Sequence, residues 1–255
     1  MTPFEVMAAA WLFLFGSCIG SFINVVIRRL PNNESLSKTR SHCPVCGADI
    51  RWRDLIPIAG WLILRGRCRD CGVRISPRYP LVELACALLA PLCFSRYGFD
   101  ARVPLAFGVL AILLAIALID LDTMQIPDRL IIALIPFAAG SVWAWGDTAL
   151  LTRVIGFFAI SAPMTLIALA IRDAFGGGDI KLMAVCGFLL GWQNALLAFF
   201  IALLIGGGYA SFLIISKKRG RRSHIAFGPS LCTGVAAAML FGTEITAFYL
   251  GLYGL

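Results

Sequence analysis

Charge is scarce in this 255-residue chain. Only 14% of its residues are Asp, Glu, Lys or Arg, where a soluble domain carries about a quarter. With 60% hydrophobic residues and a mean hydropathy of +0.87, that deficit excludes a soluble globular domain and describes a polytopic membrane protein. There is no internal repeat and no low-complexity tail. No G-x-G-x-x-G turn follows a strand, so a Rossmann cofactor fold has no support. A cleavable signal peptide is also not evident. The first apolar run, 6–27, is too long for an h-region and ends in Arg28 and Arg29, so it reads as a retained helix. Acids are the scarcer charge, 14 against 22 Lys and Arg, for a net charge of +8. Nucleic acid is not the implied partner, because the basic residues are not spread over a soluble face. Eleven lie between residues 28 and 78 and five within 217–222. Such clusters mark cytoplasmic loops of a membrane protein.

Apolar length divides the rest into eight candidate spans: 4–27, 80–94, 103–119, 130–145, 149–171, 180–190, 195–215 and 227–253. The expected fold is therefore all-α and polytopic, with about eight transmembrane helices and a cytoplasmic loop between the first two. The second and sixth spans are short for a bilayer, which needs about 20 apolar residues. If residues 28–78 are cytoplasmic, the N-terminus is outside, and the turns at 120–129, 172–181 and 217–222 are cytoplasmic too. The outer turns near 96–102, 146–148 and 191–194 carry few positive charges.

Two acids stand at the edges of these spans. Asp120 closes the run 103–119, and Asp179 follows Gly176, Gly177 and Gly178 before the run 180–190. An ionisable residue there is costly unless it faces protein or a water-filled cavity, which makes it a functional candidate. Two of one sign, on the same side of the membrane, point to an aspartate dyad. Two carboxylates sharing a site do not both ionise cheaply, so one can serve as acid while the other serves as base. The neighbouring acids have blander readings. Asp128, after Pro127, suits a helix N-cap, Asp122 lies deeper in the aqueous loop, and Asp173 reads as structural. The glycines, Gly176 and Gly178 among them, exceed what an N-cap needs; they permit positive φ and close backbone approach. Lys181 could tune the charge of the dyad or anchor to headgroups. Gly206, Gly207 and Gly208 suggest close helix packing or a bend. Asn24, in an otherwise apolar helix, suits an interhelical hydrogen bond.

The sequences CPVC (43–46) and CRDC (68–71) form a second constellation, with 21 residues between them. Paired Cys-x-x-Cys turns offer four thiolates that can close a tetrahedron around structural zinc. The metal ligands expected are Cys43, Cys46, Cys68 and Cys71, with His42 a bystander. Disulfides are disfavoured in a cytoplasmic loop, where thiols stay reduced. Cys18, Cys86, Cys93, Cys186 and Cys232 lie in apolar runs, where cysteine behaves as a small hydrophobe.

Five segments together resemble the bacterial prepilin peptidases. They are GSFINVVIRRLP (20–31), the stretch from Cys43 to SPRYPLVEL (76–84), DLDTMQIPD (120–128), GGGDIK (176–181) and HIAFGP (224–229). The resemblance covers nearly the whole chain in order; the glycine–aspartate motif alone is shared with other intramembrane aspartic proteases such as presenilin. The family pattern places an Ile-Pro pair six residues after its first catalytic aspartate, which selects Asp120 ahead of Ile126 and Pro127. Glu83 and Asn24 match residues of the pattern, and Glu83 could pair with an arginine of the loop or contact substrate. The resemblance implies three regions: a first helix at 1–27, a four-cysteine zinc loop associated with methyl transfer at 28–79, and a membrane-embedded aspartic peptidase core at 80–255. It implies a multi-pass protein of the bacterial inner membrane that removes the short basic leader of type IV prepilins or pseudopilins at the cytoplasmic face. It also implies N-methylation of the new N-terminus with S-adenosylmethionine, as many members do. The rival readings are a peptidase without methyl transfer, an ion-coupled transporter with paired acids, and a non-enzymatic zinc-ribbon scaffold. A transporter would place its acids near mid-membrane between inverted repeats; a scaffold leaves the glycine–aspartate motif unexplained.

Overall fold

A computed structural model describes residues 2–36, 41–171, 174–216 and 226–252. Asp173, the basic cluster at 217–222, His224, Ile225 and Tyr253 lie outside the described residues. The order is α1 (Pro3–Arg29), a 3-10 turn (Trp52–Leu55), α2 (Ala59–Ile63), α3 (Arg78–Tyr97), α4 (Arg102–Thr123) and α5 (Asp128–Ala144). It continues with α6 (Leu150–Ala170), α7 (Gly177–Leu190), α8 (Trp192–Ile215) and α9 (Gly228–Leu252). The all-α expectation holds, and each of the eight apolar segments falls on one of α1 and α3–α9.

Fewer than eight of the described helices are long and apolar enough, taken alone, to cross a membrane. Among the described residues, α1, α3, α4, α6, α8 and α9 are the six long and apolar enough to cross a membrane. With 17 and 14 residues, α5 and α7 reach roughly 26 and 21 Å at 1.5 Å per residue, against a hydrocarbon core of about 30 Å. The expected shortness of the second span is corrected, because α3 runs for 20 residues. Its polar end turns are helical although they fall outside the apolar run.

The chain forms two compact units, Met1–Val103 and Pro104–Leu255. In the first, α1 packs along α3. Gly16 and Gly20 lie one turn apart, a spacing that lets helix backbones approach closely in a membrane. A Cβ at Gly20 would come within 2.6 Å of the Glu83 Cα. One turn further on, Asn24 Nδ2 donates to the Tyr79 carbonyl at 3.0 Å, the interhelical bond expected of it. Glu83 accepts the Ile58 N–H at 2.7 Å. It thereby ties the loop to α3 where Ile58 holds a left-handed φ of 62°, a conformation β-branched residues avoid. Neither an arginine nor substrate is needed to account for it.

In the second unit α4 is the most enclosed helix. In its most apolar stretch 61% of residues are buried, against 17% in α8, so α4 is surrounded largely by protein rather than lipid. It meets α5 through the Phe137 ring on Gly108. Helices α6 and α7 pack closely, as do α8 and α9.

A fully buried arginine, Arg153 of α6, knits this unit together. Its Nη1 donates to Ser141 Oγ at 2.8 Å and to the Leu189 carbonyl at 3.0 Å. Its Nη2 donates to the carbonyls of Ser141 and Trp145 at 3.0 and 2.8 Å. Ser141 and Trp145 end α5 and Leu189 ends α7, so one guanidinium ties the two helix ends together, adding to the backbone N–H groups of Trp145 and Thr148 that the Ser141 and Trp145 carbonyls also accept. Arg153→Met should remove these bonds and leave the Leu189 carbonyl without the donor Arg153 supplies, at about 1–3 kcal/mol for a group that water cannot reach. The expected result is a clearly lower unfolding midpoint in detergent; an unchanged midpoint would refute this role.

Candidate active site

Asp120 lies in the last turn of α4 and is only 5% exposed. Its Oδ2 accepts the backbone N–H of Gly228, the first residue of α9, at 2.9 Å. Asp179 is the third residue of α7 and half-buried; its Oδ2 accepts the Gly176 N–H at 3.3 Å. Both carboxylates line one open cavity of about 300 Å³, with Met124, Gln125, Ile126, Gly176, Gly177 and Gly178. The tertiary structure thus joins the two acids that the sequence places on different helices. Asp122 is exposed and outside the cavity lining.

Local chemistry shapes the mouth of this cavity. Thr123 Oγ1 donates back to the Ile119 carbonyl at 2.9 Å and Met124 adopts a left-handed φ of 53°, the usual backbone device for ending a helix. The chain then turns through Gln125 and Ile126 to Pro127, which precedes α5. Asp128 does not cap α5, as its place after proline suggested. Pro127 holds the cap position, and Asp128 inside the first turn takes the Lys181 ammonium at 2.9 and 3.0 Å. That exposed pair tethers the start of α7 to the start of α5.

The three glycines also work differently from expectation. None adopts a positive φ; Gly176 is extended at −70° and Gly177 and Gly178 are helical. Close approach is what Gly178 supplies, since a Cβ there would lie 2.8 Å from the Ile126 side chain. Of the later glycines, Gly206 meets the Phe227 ring, while Gly207 and Gly208 face open space.

The four cysteines converge in the first unit. The sulfurs of Cys43, Cys46, Cys68 and Cys71 all lie within 4.8 Å of one another. Each pair sits in the same short turn. Cys43 N–H donates to Ala48 and Cys68 N–H to Val73, with Gly47 and Gly72 both at φ 72° just after the second cysteine. Four sulfurs about 2.3 Å from zinc stand about 3.8 Å apart on a tetrahedron, and the Cys43 and Cys71 sulfurs are 3.8 Å apart. That is far too long for a disulfide, so the donor set fits zinc. His42 lies outside the cluster, in a β-bridge with Asp49.

Residues 14–97 match the bacterial peptidase A24 N-terminal domain, and residues 107–211 match the type IV leader peptidase family. The prepilin leader peptidase/N-methyltransferase of Bacillus subtilis is 35% identical over 239 residues, covering 94% of this chain and 96% of the relative. The chain belongs to the type IV leader peptidase family. Proteins of the same name from Stutzerimonas stutzeri and Aeromonas hydrophila are 33% and 34% identical. They span 98% and 94% of this chain and 98% and 92% of their own lengths. No solved structure matches the chain. In this family member, what sequence reasoning left without a role is Gly228. The signal was present in HIAFGP (224–229), but nothing in the motif says which residue it meets.

Proposed function

We propose that this protein is an intramembrane aspartic endopeptidase that removes the short basic leader of type IV prepilins or pseudopilins. In the same reading it methylates the amine so exposed, with S-adenosylmethionine as second substrate. The observation that carries the peptidase reading is the single cavity lined by Asp120 and Asp179. One carboxylate takes a proton from water as its oxygen bonds to the scissile carbonyl carbon. The other donates a proton as the C–N bond breaks and the amine leaves. The open cavity leaves room for an extended substrate beside the glycines of α7. Both acids stand at helix ends rather than at mid-span, which favours a protease over a transporter.

The regions follow the same assignment: a first helix at 1–27, a zinc loop at 28–79 serving methyl transfer, and a peptidase core at 80–255. Lys181, Gly176 and Gly178 support the dyad through the contacts described, and Asn24 and Glu83 support the loop. The enzyme sits in the bacterial inner membrane with its N-terminus outside and the dyad at the cytoplasmic face. The Arg and Lys asymmetry requires α5 to cross despite its 17 residues, as a short helix does where the bilayer thins around it. Reporter fusions after Ala48, Thr123 and Phe175 should therefore read cytoplasmic, and fusions after Tyr97 and Asp147 external. Opposite sides for Thr123 and Phe175 would break the dyad apart.

The deciding experiment incubates the detergent-purified protein with a prepilin, with and without S-adenosylmethionine, and weighs the product by mass spectrometry. Loss of the leader supports the peptidase. A further gain of about 14 Da per chain, the mass added when a group-carrying cosubstrate replaces H with CH₃, supports the methyltransferase if it appears only with the methyl donor. An uncut prepilin refutes the assignment.

A further inference from the structure

The segment HIAFGP (224–229) is the one motif that the dyad and the zinc loop leave unused. Its described part, Ala226 to Pro229, forms the entry to α9. Three contacts place that entry at the dyad. The buried Gly228 N–H reaches Asp120 Oδ2 at 2.9 Å, across 108 residues of chain. The Phe227 ring stands 6.2 Å from the ring of Phe175, immediately before Gly176. It also covers Gly206 of α8. The entry is therefore held against α4, the lead-in to α7, and α8 at once.

Gly228 is specified by the carboxylate it faces. A Cβ there would lie 2.6 Å from Asp120 Oδ2 and 3.0 Å from its Cγ, closer than atoms can sit. The next residue is Pro229, whose missing N–H costs nothing in a first helical turn. This leaves the Gly228 amide as a donor aimed at Asp120, in the helix turn whose unpaired amides carry partial positive charge. A backbone donor has no rotamer to lose. It holds one carboxylate oxygen in place and leaves the other available to the cavity.

We propose that the entry of α9 is a third component of the catalytic centre, with Gly228 the positioning residue that fixes the Asp120 carboxylate through its backbone amide. The proposal rests on the peptidase reading in taking Asp120 as catalytic. Its consequence is specific. Loss of the amide or intrusion of a methyl group lowers the rate of bond cleavage and leaves substrate binding nearly unchanged, because the donor touches the carboxylate and not the prepilin.

The test compares kcat and KM for prepilin cleavage by the detergent-purified full chain in three forms. Gly228→Ala adds the clashing carbon. A glycolate ester at position 228 removes only the N–H and keeps the shape, so it remains informative if the alanine variant misfolds. Asp120→Asn reports on the underlying reading. The expected result is a fall in kcat of about 10- to 100-fold for the ester form, the range for a lost hydrogen bond to a charged group. Gly228→Ala should fall at least as far, with KM within about threefold of wild type for both. Wild-type kcat in the ester form beside an inactive Asp120→Asn would overturn the role of Gly228 and leave the peptidase reading standing. Cleavage by Asp120→Asn at the wild-type rate would overturn both.

Discussion

Asp120→Asn and Asp179→Asn should each abolish leader cleavage while the protein still inserts and purifies normally. The reason is geometric and chemical together. Both carboxylates line one cavity, each on its own helix and each held by a backbone amide. Asn keeps the shape and the volume but can neither take a proton from water nor give one to a leaving amine. Losing a positioned acid or base costs roughly 100- to 10,000-fold in rate, enough to leave no product in an ordinary assay. Asp122→Asn is the internal control, since Asp122 is exposed and outside the cavity lining, and it should keep most of the activity. The measurement is initial cleavage rate on equal amounts of inserted protein. Substantial turnover by either dyad variant would remove that residue from the mechanism.

Changing Cys43 and Cys46 together to Ser should remove about one bound zinc per chain. Two of four sulfurs cannot hold a tetrahedral site, and small cysteine-ligated folds lose their structure without the metal. Among the described residues, the loop's regular structure is one 3-10 turn, the five-residue α2 and two isolated bridges. Beyond the cysteines it is pinned chiefly by Arg69 on Asp54 at 2.6 Å, Trp61 on the Ile75 carbonyl, and Glu83 on Ile58. Methyl transfer or substrate docking should suffer more than bond cleavage, because neither dyad residue lies in this unit. Metal analysis of wild type and variant, beside cleavage and methylation rates, checks both halves. A wild type without zinc removes the site. A correctly inserted variant with no cleavage at all would make the loop part of the protease.

Some of the candidate site is legible in the sequence because its chemistry is local. A Cys-x-x-Cys turn needs only four consecutive residues to aim two sulfurs one way, and two such turns advertise a metal whatever lies between them. An acid at the end of an apolar run is conspicuous because the bilayer penalises it. Other roles are hidden where a neighbour distant in sequence decides them. Asp128 has the local marks of a cap, yet Pro127 takes that position and Lys181, 53 residues away, takes the carboxylate. The glycines before Asp179 suggest unusual backbone angles, but what Gly178 needs is space for Ile126. Nothing in the sequence singles out Arg153, because the carbonyls it serves belong to helix ends whose meeting point no local pattern encodes.

The sequence by itself determined the class of the molecule, the positions of its apolar helices, the two aspartates and the four cysteines. These follow from composition, period and short spacings, which act through solvent and through bonds between near neighbours. Only the tertiary structure decided that α5 and α7 are shorter than the hydrocarbon core, that the two carboxylates share one cavity, and that Gly228 holds one of them. Those facts depend on where helices end and which backbones come within a few ångströms of each other, and that is settled by packing among helices far apart along the chain.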